Sequence, residues 1–565
     1  MLSAILALRI WSGFKGIFHS PPFALRPCLA AVIWSWYPKV PQPPMSEPDQ
    51  TLPSAELPPS DSSVQDPPVQ DELLQSPAPE PPPETPLEAV RGEDRLEIVD
   101  VLRGLSLLGI LAANMRGHNA PEIIYFNINS WFDQPYDKIA QTLVNAFIQG
   151  KFISIFSFLF GLGFAVQFTR GMERGKAVGG WFARKLPLAL WICLTVMIAI
   201  PLASQLIYSG SPKIPMAARA PLAFAIVTAF WAVYMRRFRK MSPHDREFTG
   251  YFSKRLLLLY GLGWLHVSLL WWGDVLTQYA MAGFMLLAFR NSKLKVVAIA
   301  AWVSAMVPVV GITGYAIYSI FKPSTPTPPN LIELVHKVES ANWLYSTGSP
   351  WELMADRVHA IWSFMPGMIV GVAFGFMPCF LLGLWVWKKG IVQNMEEWLP
   401  RLKQVWLWLL PVALFYWTFG FLVPYLVDIP RGPVSVLAYL RELTRNGFAP
   451  FVALFYVLSF VLSVRNPAIW AFFRPCGAIG RLSLSNYLLQ SLIGVLLFTS
   501  TGLAFFGHGI FLYGKIGPLL DLPITLAIYL AQIPLSQWYL RHFRIGPVEW
   551  LWRSLSYGEP QRFRR

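Results

Sequence analysis

The stretch WLHVSLLWWGD, residues 264–274, carries one histidine and one aspartate inside otherwise apolar sequence. The imidazole of His266 can act as a general base near neutral pH, and the carboxylate of Asp274 can orient an imidazole or cap a helix. Ionisable side chains are costly inside a membrane, so they indicate function by default. If the eight intervening steps are helical, they separate the two side chains by about 12 Å. We therefore predict that His266 and Asp274 do not touch.

A second set of polar residues lies in the first apolar run, DVLRGLSLLGILAANMRGHN. Asp100 and Arg103 are three residues apart and share one helix face, which suits either an ion pair at the membrane surface or an ionic binding site. Asn114 follows Arg103 at a distance of about 16 Å along a helix, near the opposite membrane face. His118 lies just beyond Asn114, so this helix carries polar groups at both ends.

A third set occurs in GRLSLSNYLLQS, residues 480–491. Arg481 precedes the apolar run, and Asn486 and Gln490 are four residues apart, so the two amides share one helix face. Amides in such positions bind either a substrate or the polar groups of a neighbouring helix. The four cysteines are far apart and form no CxxC pair, so no metal site is predicted.

The amino-acid composition indicates whether these polar residues lie in a soluble domain or in a membrane. Of the 565 residues, 54% are hydrophobic and only 14% are charged, whereas soluble domains carry about 25% charged residues. Apolar runs recur along most of the chain, each long enough to cross a bilayer as a helix. The sequence therefore predicts an all-α, polytopic transmembrane helix bundle of about 10–12 spans with the lipid bilayer as its partner.

The spans are predicted from the apolar runs, with basic residues concentrated in alternate connections. Cytoplasmic loops are enriched in Lys and Arg, so this distribution predicts that both termini are cytoplasmic and that residues 321–361 are extracytoplasmic. The same distribution explains the net charge of +15, and nucleic-acid binding is not predicted. The predicted spans are 98–115, 150–169, 186–208, 217–235, 256–272, 275–289, 296–320, 362–387, 404–427, 447–464, 482–503 and 517–538.

The N-terminal part of the chain contains two segments of different composition. Residues 45–92 are rich in Pro, Glu, Asp and Ser, and such a segment buries too little apolar surface to order itself. We predict a disordered tether there and a transmembrane helical domain over 93–560. Residues 1–44 are apolar but interrupted by Arg and Pro, which leaves two interpretations: an interfacial anchor, or sequence upstream of a start at Met45.

Five stretches resemble the YeiB-like family of bacterial inner-membrane proteins, catalogued as a domain of unknown function. They extend from about residue 95 to residue 560, and the last two are the most specific. The stretches are DVLRGLSLLGILAAN, FSFLFGLGFA, GLGWLHVSLLWWGDVLTQYA, GRLSLSNYLLQSLIGVLLF and FRIGPVEWLWRSLSYG. The resemblance implies location in the inner (cytoplasmic) membrane.

The family is similar to a superfamily of transmembrane acyltransferases that includes bacterial O-acetylases and the lysosomal heparan-α-glucosaminide N-acetyltransferase. This resemblance implies transfer of an acyl group from a cytoplasmic donor, usually acetyl-CoA, to an extracytoplasmic acceptor such as an envelope glycan. Asn114 stands where the O-acetylases carry a histidine. The hairpin 186–235 is additional to the usual family member.

Acyl transfer needs a general base and an oxyanion donor. His266 and His118 are the candidate bases, Asp274 the group that orients an imidazole, and Asn114 the oxyanion donor. Two alternatives stay open: a transporter of small organic solutes and a non-enzymatic envelope component. The sequence does not determine the donor, the acceptor or the oligomeric state. The candidate substrate-binding residues are Asn114, Asp100, Arg103, Arg481, Asn486 and Gln490.

Overall fold

The computed structural model describes residues 97–126, 132, 134–173, 236, 242–321, 331–427, 436–502 and 513–565. The predicted leader 1–44, the predicted tether 45–92 and the hairpin 186–235 lie outside these residues. Within the described part the regular structure is helical, apart from one isolated antiparallel bridge between Phe543 and Arg564. The prediction of an all-α fold is confirmed.

The helices follow the apolar runs, and short polar or glycine-containing connections separate them. Two π-helical turns, Val372–Phe376 and Thr418–Leu422, lie in the breaks after α9 and α11. The α-helices of the described residues, in chain order, are α1 Glu97–Asn119, α2 Glu122–Phe126, α3 Pro135–Phe147, α4 Lys151–Glu173, α5 Pro243–Leu269, α6 Leu276–Leu287, α7 Leu294–Phe321, α8 Leu331–Thr347, α9 Pro350–Gly371, α10 Met377–Lys388, α11 Met395–Trp417, α12 Val423–Leu426, α13 Val436–Gly447, α14 Ala449–Ser463, α15 Pro467–Phe473, α16 Cys476–Arg481, α17 Ser483–Phe498, α18 Pro518–His542 and α19 Pro547–Tyr557.

Several of these helices are long and apolar enough to cross a membrane. Five do so among the described residues: Glu97–Asn119, Pro135–Thr169, Leu294–Ser319, Met395–Leu426 and Pro518–His542. Helices α13 and α14 pass the same test together, with a bend of 54° between them. The chain is therefore a polytopic membrane bundle.

Two further predicted spans correspond to shorter helices, and two lie outside the described residues. The predicted spans 275–289 and 482–503 correspond to α6, with 12 residues, and α17, with 16 residues. Such helices are shorter than the roughly 20 residues that a straight span needs. The predicted spans 186–208 and 217–235 lie outside the described residues.

Helix α1 lies at the centre of the bundle, where it packs against α4, α16, α17 and α18. Close helix crossings use glycine, because small residues let helix backbones approach in a membrane. Gly161 on α4 faces the backbone carbonyl of Phe380 on α10, and Gly383 on α10 faces that of Phe158 on α4. A side chain at either glycine would push these two helices apart.

A sharp reversal joins α5 to α6. Helix α5 ends at Leu269, and the backbone N–H of Leu270 still donates to the His266 carbonyl before the chain turns. Helix α6 begins at Leu276 and packs back against α5. This reversal brings the residues after the helix end alongside its last turns.

Candidate active site

His266 and Asp274 meet beside the end of α5. Their Nδ1 and Oδ1 atoms lie 2.9 Å apart, and both side chains are fully buried. The prediction that they do not touch is wrong, because it assumed a continuous helix, whereas the reversal folds Asp274 back beside His266. The separation is that of a charge-assisted hydrogen bond, but the two atoms are not aligned for one in this arrangement.

The second carboxylate oxygen of Asp274 caps α6. Asp274 Oδ2 accepts a hydrogen bond of 2.7 Å from the Thr277 backbone N–H. Gly263 on α5 makes room for this arrangement, since an added Cβ would lie 2.8 Å from Asp274 Oδ2 and 2.7 Å from the Thr277 nitrogen. One carboxylate thus serves as a helix cap and as the neighbour of an imidazole.

The other imidazole nitrogen of His266 meets Ser491 on α17. His266 Nε2 and Ser491 Oγ are 2.8 Å apart, and Ser491 is 1% exposed. A buried serine in a helix commonly donates to a carbonyl of its own preceding turn, as Ser106 does to Leu102 at 2.7 Å. Asp274, His266 and Ser491 therefore form a continuous polar chain, which we call the His266 cluster.

Sequence reasoning did not select Ser491 as a site residue. It lies 225 residues from His266, and its neighbour Gln490 drew attention because Asn486 and Gln490 share a face. The one available signal was the density of polar residues in GRLSLSNYLLQS.

His118, the second candidate base, packs against the same part of α17 as His266. It is buried at the end of α1, with its ring centroid 4.2 Å from that of Trp271. The Trp271 indole N–H donates to the Gly117 carbonyl at 2.7 Å and holds the two segments together. A Cβ at Gly494, three residues beyond Ser491, would lie 2.9 Å from His118 Nδ1. Both candidate histidines therefore contact one short stretch of α17.

A cavity of about 200 Å³ lies on the Asp100 side of this site. It is lined by four arginines, one glutamate and several aromatic side chains, so its charge is strongly positive. We call it the arginine cavity. The polar residues that line it are Arg103, Gln167, Arg255, Arg481, Glu549 and Arg553.

The single carboxylate of the arginine cavity is already engaged with backbone groups. Glu549 accepts hydrogen bonds from the Leu484 and Ser485 backbone N–H groups, at 2.8 and 3.1 Å, and from the Ser485 hydroxyl. It thus caps the N-terminus of α17, where a negative charge is favourable. Arg255 donates to Gln167 at 2.7 Å and lies over the Trp552 ring at 4.3 Å.

The arginine cavity adjoins the His266 cluster. Val275, which follows Asp274, lines the cavity together with Tyr279 and Tyr487. The Tyr487 ring centroid is 5.1 Å from that of His266. Tyr487 therefore lies in the wall between the cavity and the cluster. Its hydroxyl is buried and has no well-aligned hydrogen-bond partner among the described residues.

The other predicted site residues occupy different positions. Arg103 lies 3.5 Å from Asp100, as the ion-pair interpretation predicted, and Arg103 also lines the arginine cavity. Asn486 donates to Ser536 at 3.1 Å, so its amide joins α17 to α18. Asn114 is half-buried and is not part of the cavity wall.

The Gln490 side chain, like that of Asn486, bonds to the neighbouring helix α18. Its amide nitrogen donates to Gln532 Oε1 at 2.9 Å, again between α17 and α18. Interhelical bonding was the alternative interpretation for both amides. A role in substrate binding for Asn486, Gln490 or Asn114 stays a prediction.

A second buried polar group, the Arg116 cluster, lies in the last turn of α1, at the end of the helix that also carries His118. Arg116 Nη2 and Asn119 Nδ2 each donate to one carboxylate oxygen of Asp521 at 2.5 Å, and Arg116 Nη1 donates to Asn119 Oδ1 at 3.0 Å. Asp521 is on α18, so this cluster fastens the end of α1 to the beginning of α18. Arg116 also donates to the Ile516 carbonyl.

One carboxyl group near this end of the bundle has a perturbed pKa. Glu122 lies on the short helix α2, outside the spanning segments. Burial raises the pKa of Glu122 from 4.5 to about 7, and the negative charge of Asp356 adds to the effect.

Together these observations define a multi-pass α-helical membrane protein with a buried His–Asp–Ser chain beside a positively charged cavity. The family described as "Protein of unknown function (DUF418)" matches residues 386–559. This match confirms the resemblance to the YeiB-like family found in the sequence motifs.

Three relatives extend the match over most of the chain. "Uncharacterized protein YxaH" of Bacillus subtilis (strain 168) is 27% identical over 487 residues, covering 83% of this chain and 96% of the relative. "Uncharacterized protein YeiB" of Escherichia coli (strain K12) is 22% identical, covering 82% and 96%. The "Uncharacterized 39.9 kDa protein in amylase 3'region" of Bacillus acidopullulyticus is 22% identical, covering 84% and 96%. No solved structure gives a significant match.

Proposed function

We propose that this protein transfers an acyl group from an anionic cytoplasmic donor to a hydroxyl or amine acceptor on the other side of the bacterial inner membrane. The observation that carries the proposal is the contact between two features. A cavity lined by four arginines shares the Tyr487 wall with a buried imidazole held by a carboxylate. The first feature suits a phosphorylated donor, and the second suits proton transfer.

The donor proposed is an acyl thioester of coenzyme A, with acetyl-CoA as the first to test. Arginine binds phosphate through paired N–H groups, and four arginines can neutralise several phosphate charges. The cavity of about 200 Å³ is smaller than the roughly 300 Å³ at the lower end of ligand pockets. It therefore suits one arm of the donor, with the remaining part of coenzyme A outside.

The predicted orientation supports this direction of transfer. Arg103, Arg481 and Arg553 belong to the side of the bundle on which the loop charges predict the cytoplasm. His118 belongs to the opposite end of α1. In this proposal the acyl group enters from the arginine cavity, and an envelope glycan hydroxyl or amine approaches from the His118 side.

The proposed chemistry uses the His266 cluster as a base. Asp274 orients the imidazole and stabilises its protonated form during the reaction, while the Nε2 atom of His266 accepts a proton. His118 is the second candidate base, for the acceptor. Asn114 is kept as the candidate oxyanion donor, as predicted from the sequence.

The test is a transfer assay with the purified full chain in lipid nanodiscs. We expect label from acetyl-CoA to appear on one of a panel of envelope glycans. Arg481→Gln should raise the KM for the donor about 10-fold or more, because a charge-assisted hydrogen bond to phosphate contributes about 1.5–3 kcal/mol. Arg541→Gln, at an exposed position on α18, is the matched control and should leave KM unchanged. Absence of transfer from acetyl-CoA and longer acyl-CoA donors to every acceptor would refute the proposal.

A second candidate function is proton-coupled transport of a small organic anion. The buried ion-pair geometry of His266 and Asp274 beside a positive cavity favours it, because such pairs also serve as proton relays in carriers. Proteoliposomes distinguish the two functions. Uptake of an organic anion that depends on a proton gradient, without any acyl transfer, would favour the transporter.

A further inference from the structure

We propose that Ser491 is the nucleophile of this site and carries the acyl group as a covalent ester between donor and acceptor. The inference rests on the proposed acyl transfer and adds an intermediate to it. The geometry points to this role because the Ser491 hydroxyl, the His266 imidazole and the Asp274 carboxylate form one chain, with contacts of 2.8 and 2.9 Å.

The contacts match the roles that an activated serine needs. A serine hydroxyl becomes a nucleophile when a base accepts its proton and a third group orients that base. Nε2 of His266 faces the hydroxyl, and Nδ1 faces the carboxylate, which is the arrangement of roles in a Ser–His–Asp triad. The three residues come from α17, α5 and the α5–α6 reversal, so only the fold assembles them.

The pairing of Ser491 contrasts with that of a matched serine. Ser106 is also 1% exposed and lies within a membrane helix, but its hydroxyl bonds to the carbonyl of Leu102. That bond satisfies the donor of the Ser106 hydroxyl, whereas Ser491 directs its hydroxyl to an imidazole. Ser106 therefore serves as the control for a buried serine without nucleophilic function.

A donor for the developing oxyanion is present one turn before Ser491. Tyr487 is four residues earlier on α17, so the two side chains share a helix face. Its buried hydroxyl lies close to Asp274 and the Val275 backbone, with no well-aligned hydrogen-bond partner among the described residues. A buried phenol in this position can donate to an oxyanion that forms nearby.

The reaction balances as two ester exchanges. First, Ser491 Oγ attacks the carbonyl carbon of the thioester, and its proton moves to His266 Nε2. The C–S bond breaks, and the leaving sulfur takes that proton, giving a free thiol and acyl-Ser491. An acceptor hydroxyl then attacks the ester carbonyl and gives its proton to His266. The bond to Ser491 Oγ breaks, and the serine recovers the proton.

Tyr487 also controls access to the serine. Ser491 is buried, and Tyr487 lies in the wall that separates the arginine cavity from His266. The thioester has to pass the Tyr487 ring to reach Ser491, so in this proposal the ring opens for entry and returns before its hydroxyl donates to the oxyanion. The closed arrangement keeps water from the ester, which suits transfer rather than hydrolysis.

The experiment combines trapping with substitution in the full chain in nanodiscs. Wild-type protein is incubated with labelled acetyl-CoA without acceptor, quenched in acid, and analysed by peptide mass spectrometry. We expect one acetyl ester at Ser491. A fluorophosphonate probe, which needs no acyl donor, should label the same serine. Ser491→Ala should abolish both labels and reduce transfer at least about 100-fold, whereas Ser106→Ala should retain both.

Ser491→Cys keeps the proposal testable if the alanine variant does not fold. A thiol at this position should form an acetyl thioester that neutral hydroxylamine cleaves faster than the serine ester. Asp274→Asn, at the positioning residue, should slow fluorophosphonate labelling about 100-fold while the protein stays folded.

The outcomes separate this inference from the proposed function. Normal transfer by folded Ser491→Ala would overturn the inference and leave the proposed function standing. Absence of ester and fluorophosphonate label on wild-type Ser491, in protein that transfers acetyl groups, would do the same. Fluorophosphonate labelling of Ser491 without any acyl ester or acyl transfer would overturn the proposed function and the acyl intermediate with it, and would leave only an activated serine. Absence of both label and transfer would overturn both.

Discussion

The Arg116 cluster and the His266 cluster are both buried and both join distant helices, but their chemistry differs. In the Arg116 cluster, both oxygens of Asp521 accept hydrogen bonds, from Arg116 and Asn119. In the His266 cluster, the contacts end at a neutral hydroxyl, Ser491, whose proton has a base beside it. The first arrangement holds helices together, and the second can also move a proton.

The two clusters also differ in whether a cavity lies beside them. The Arg116 cluster is a closed connection between α1 and α18, with a guanidinium that stays protonated at physiological pH. The His266 cluster shares the Tyr487 wall with a positively charged cavity. Burial of polar groups therefore does not by itself identify a reactive site. The adjacent cavity and the presence of an imidazole that can accept a proton distinguish it.

The largest effect that tests this comparison is expected in the Arg116 cluster. Asp521→Ala leaves the Arg116 guanidinium buried without its carboxylate, which typically costs about 3–5 kcal/mol. The midpoint of thermal unfolding in detergent should fall strongly. Replacing both charges, with Arg116→Met and Asp521→Leu together, should restore most of the stability. An Asp521→Ala protein as stable as wild type would remove the structural role assigned to this cluster.

In the His266 cluster we expect a large loss of activity with little change in stability. His266→Gln should lower transfer at least about 100-fold, equivalent to about 2.7 kcal/mol in the activation barrier, while the thermal midpoint changes little. The glutamine retains polar atoms for hydrogen bonding but cannot act as a base. His118→Gln tests the second candidate base in the same way. If both variants fold and retain full transfer or uptake activity, histidine chemistry is excluded at this site.

A smaller effect is expected from the glycine that admits Asp274. Gly263→Ala places a methyl group within 2.8 Å of Asp274 Oδ2 and within 2.7 Å of the Thr277 nitrogen. Overpacking of this kind costs about 1–3 kcal/mol, and it should also displace the carboxylate and reduce activity about 10-fold. Gly261→Ala is the matched control on the same helix, because an added Cβ there meets no atom within 4 Å. Equal behaviour of the two variants would refute the packing argument.

The smallest effect concerns Glu122, which belongs to neither cluster. Its pKa is raised to about 7 in the folded protein, so the folded state retains a proton that the unfolded state releases near pH 4.5. Stability should therefore fall as pH rises from about 4.5 to 7, by less than about 1 kcal/mol, because the side chain is partly exposed. Glu122→Gln should remove this part of the slope in thermal unfolding measured against pH. An identical slope in the variant would assign the pH dependence to other groups.

Much of the fold follows from the sequence because it depends on local properties. The length of the apolar runs predicts α1, α7 and α18 within a few residues of their observed bounds. The i,i+3 spacing predicts the Asp100–Arg103 contact, and the i,i+4 spacing predicts that Asn486 and Gln490 face one neighbouring helix. These relations need only the pitch of a helix.

The sequence by itself therefore determined an all-α membrane bundle, its resemblance to the YeiB-like family and the approximate ends of many helices. Only the tertiary structure decided the site. The distance between His266 and Asp274 depends on where α5 ends and how the chain reverses, which a helical count cannot show. The contact of His266 with Ser491 joins residues 225 positions apart. Such contacts depend on how α5 and α17 pack together, since helical periodicity specifies the face of a residue but not the partner that this face meets.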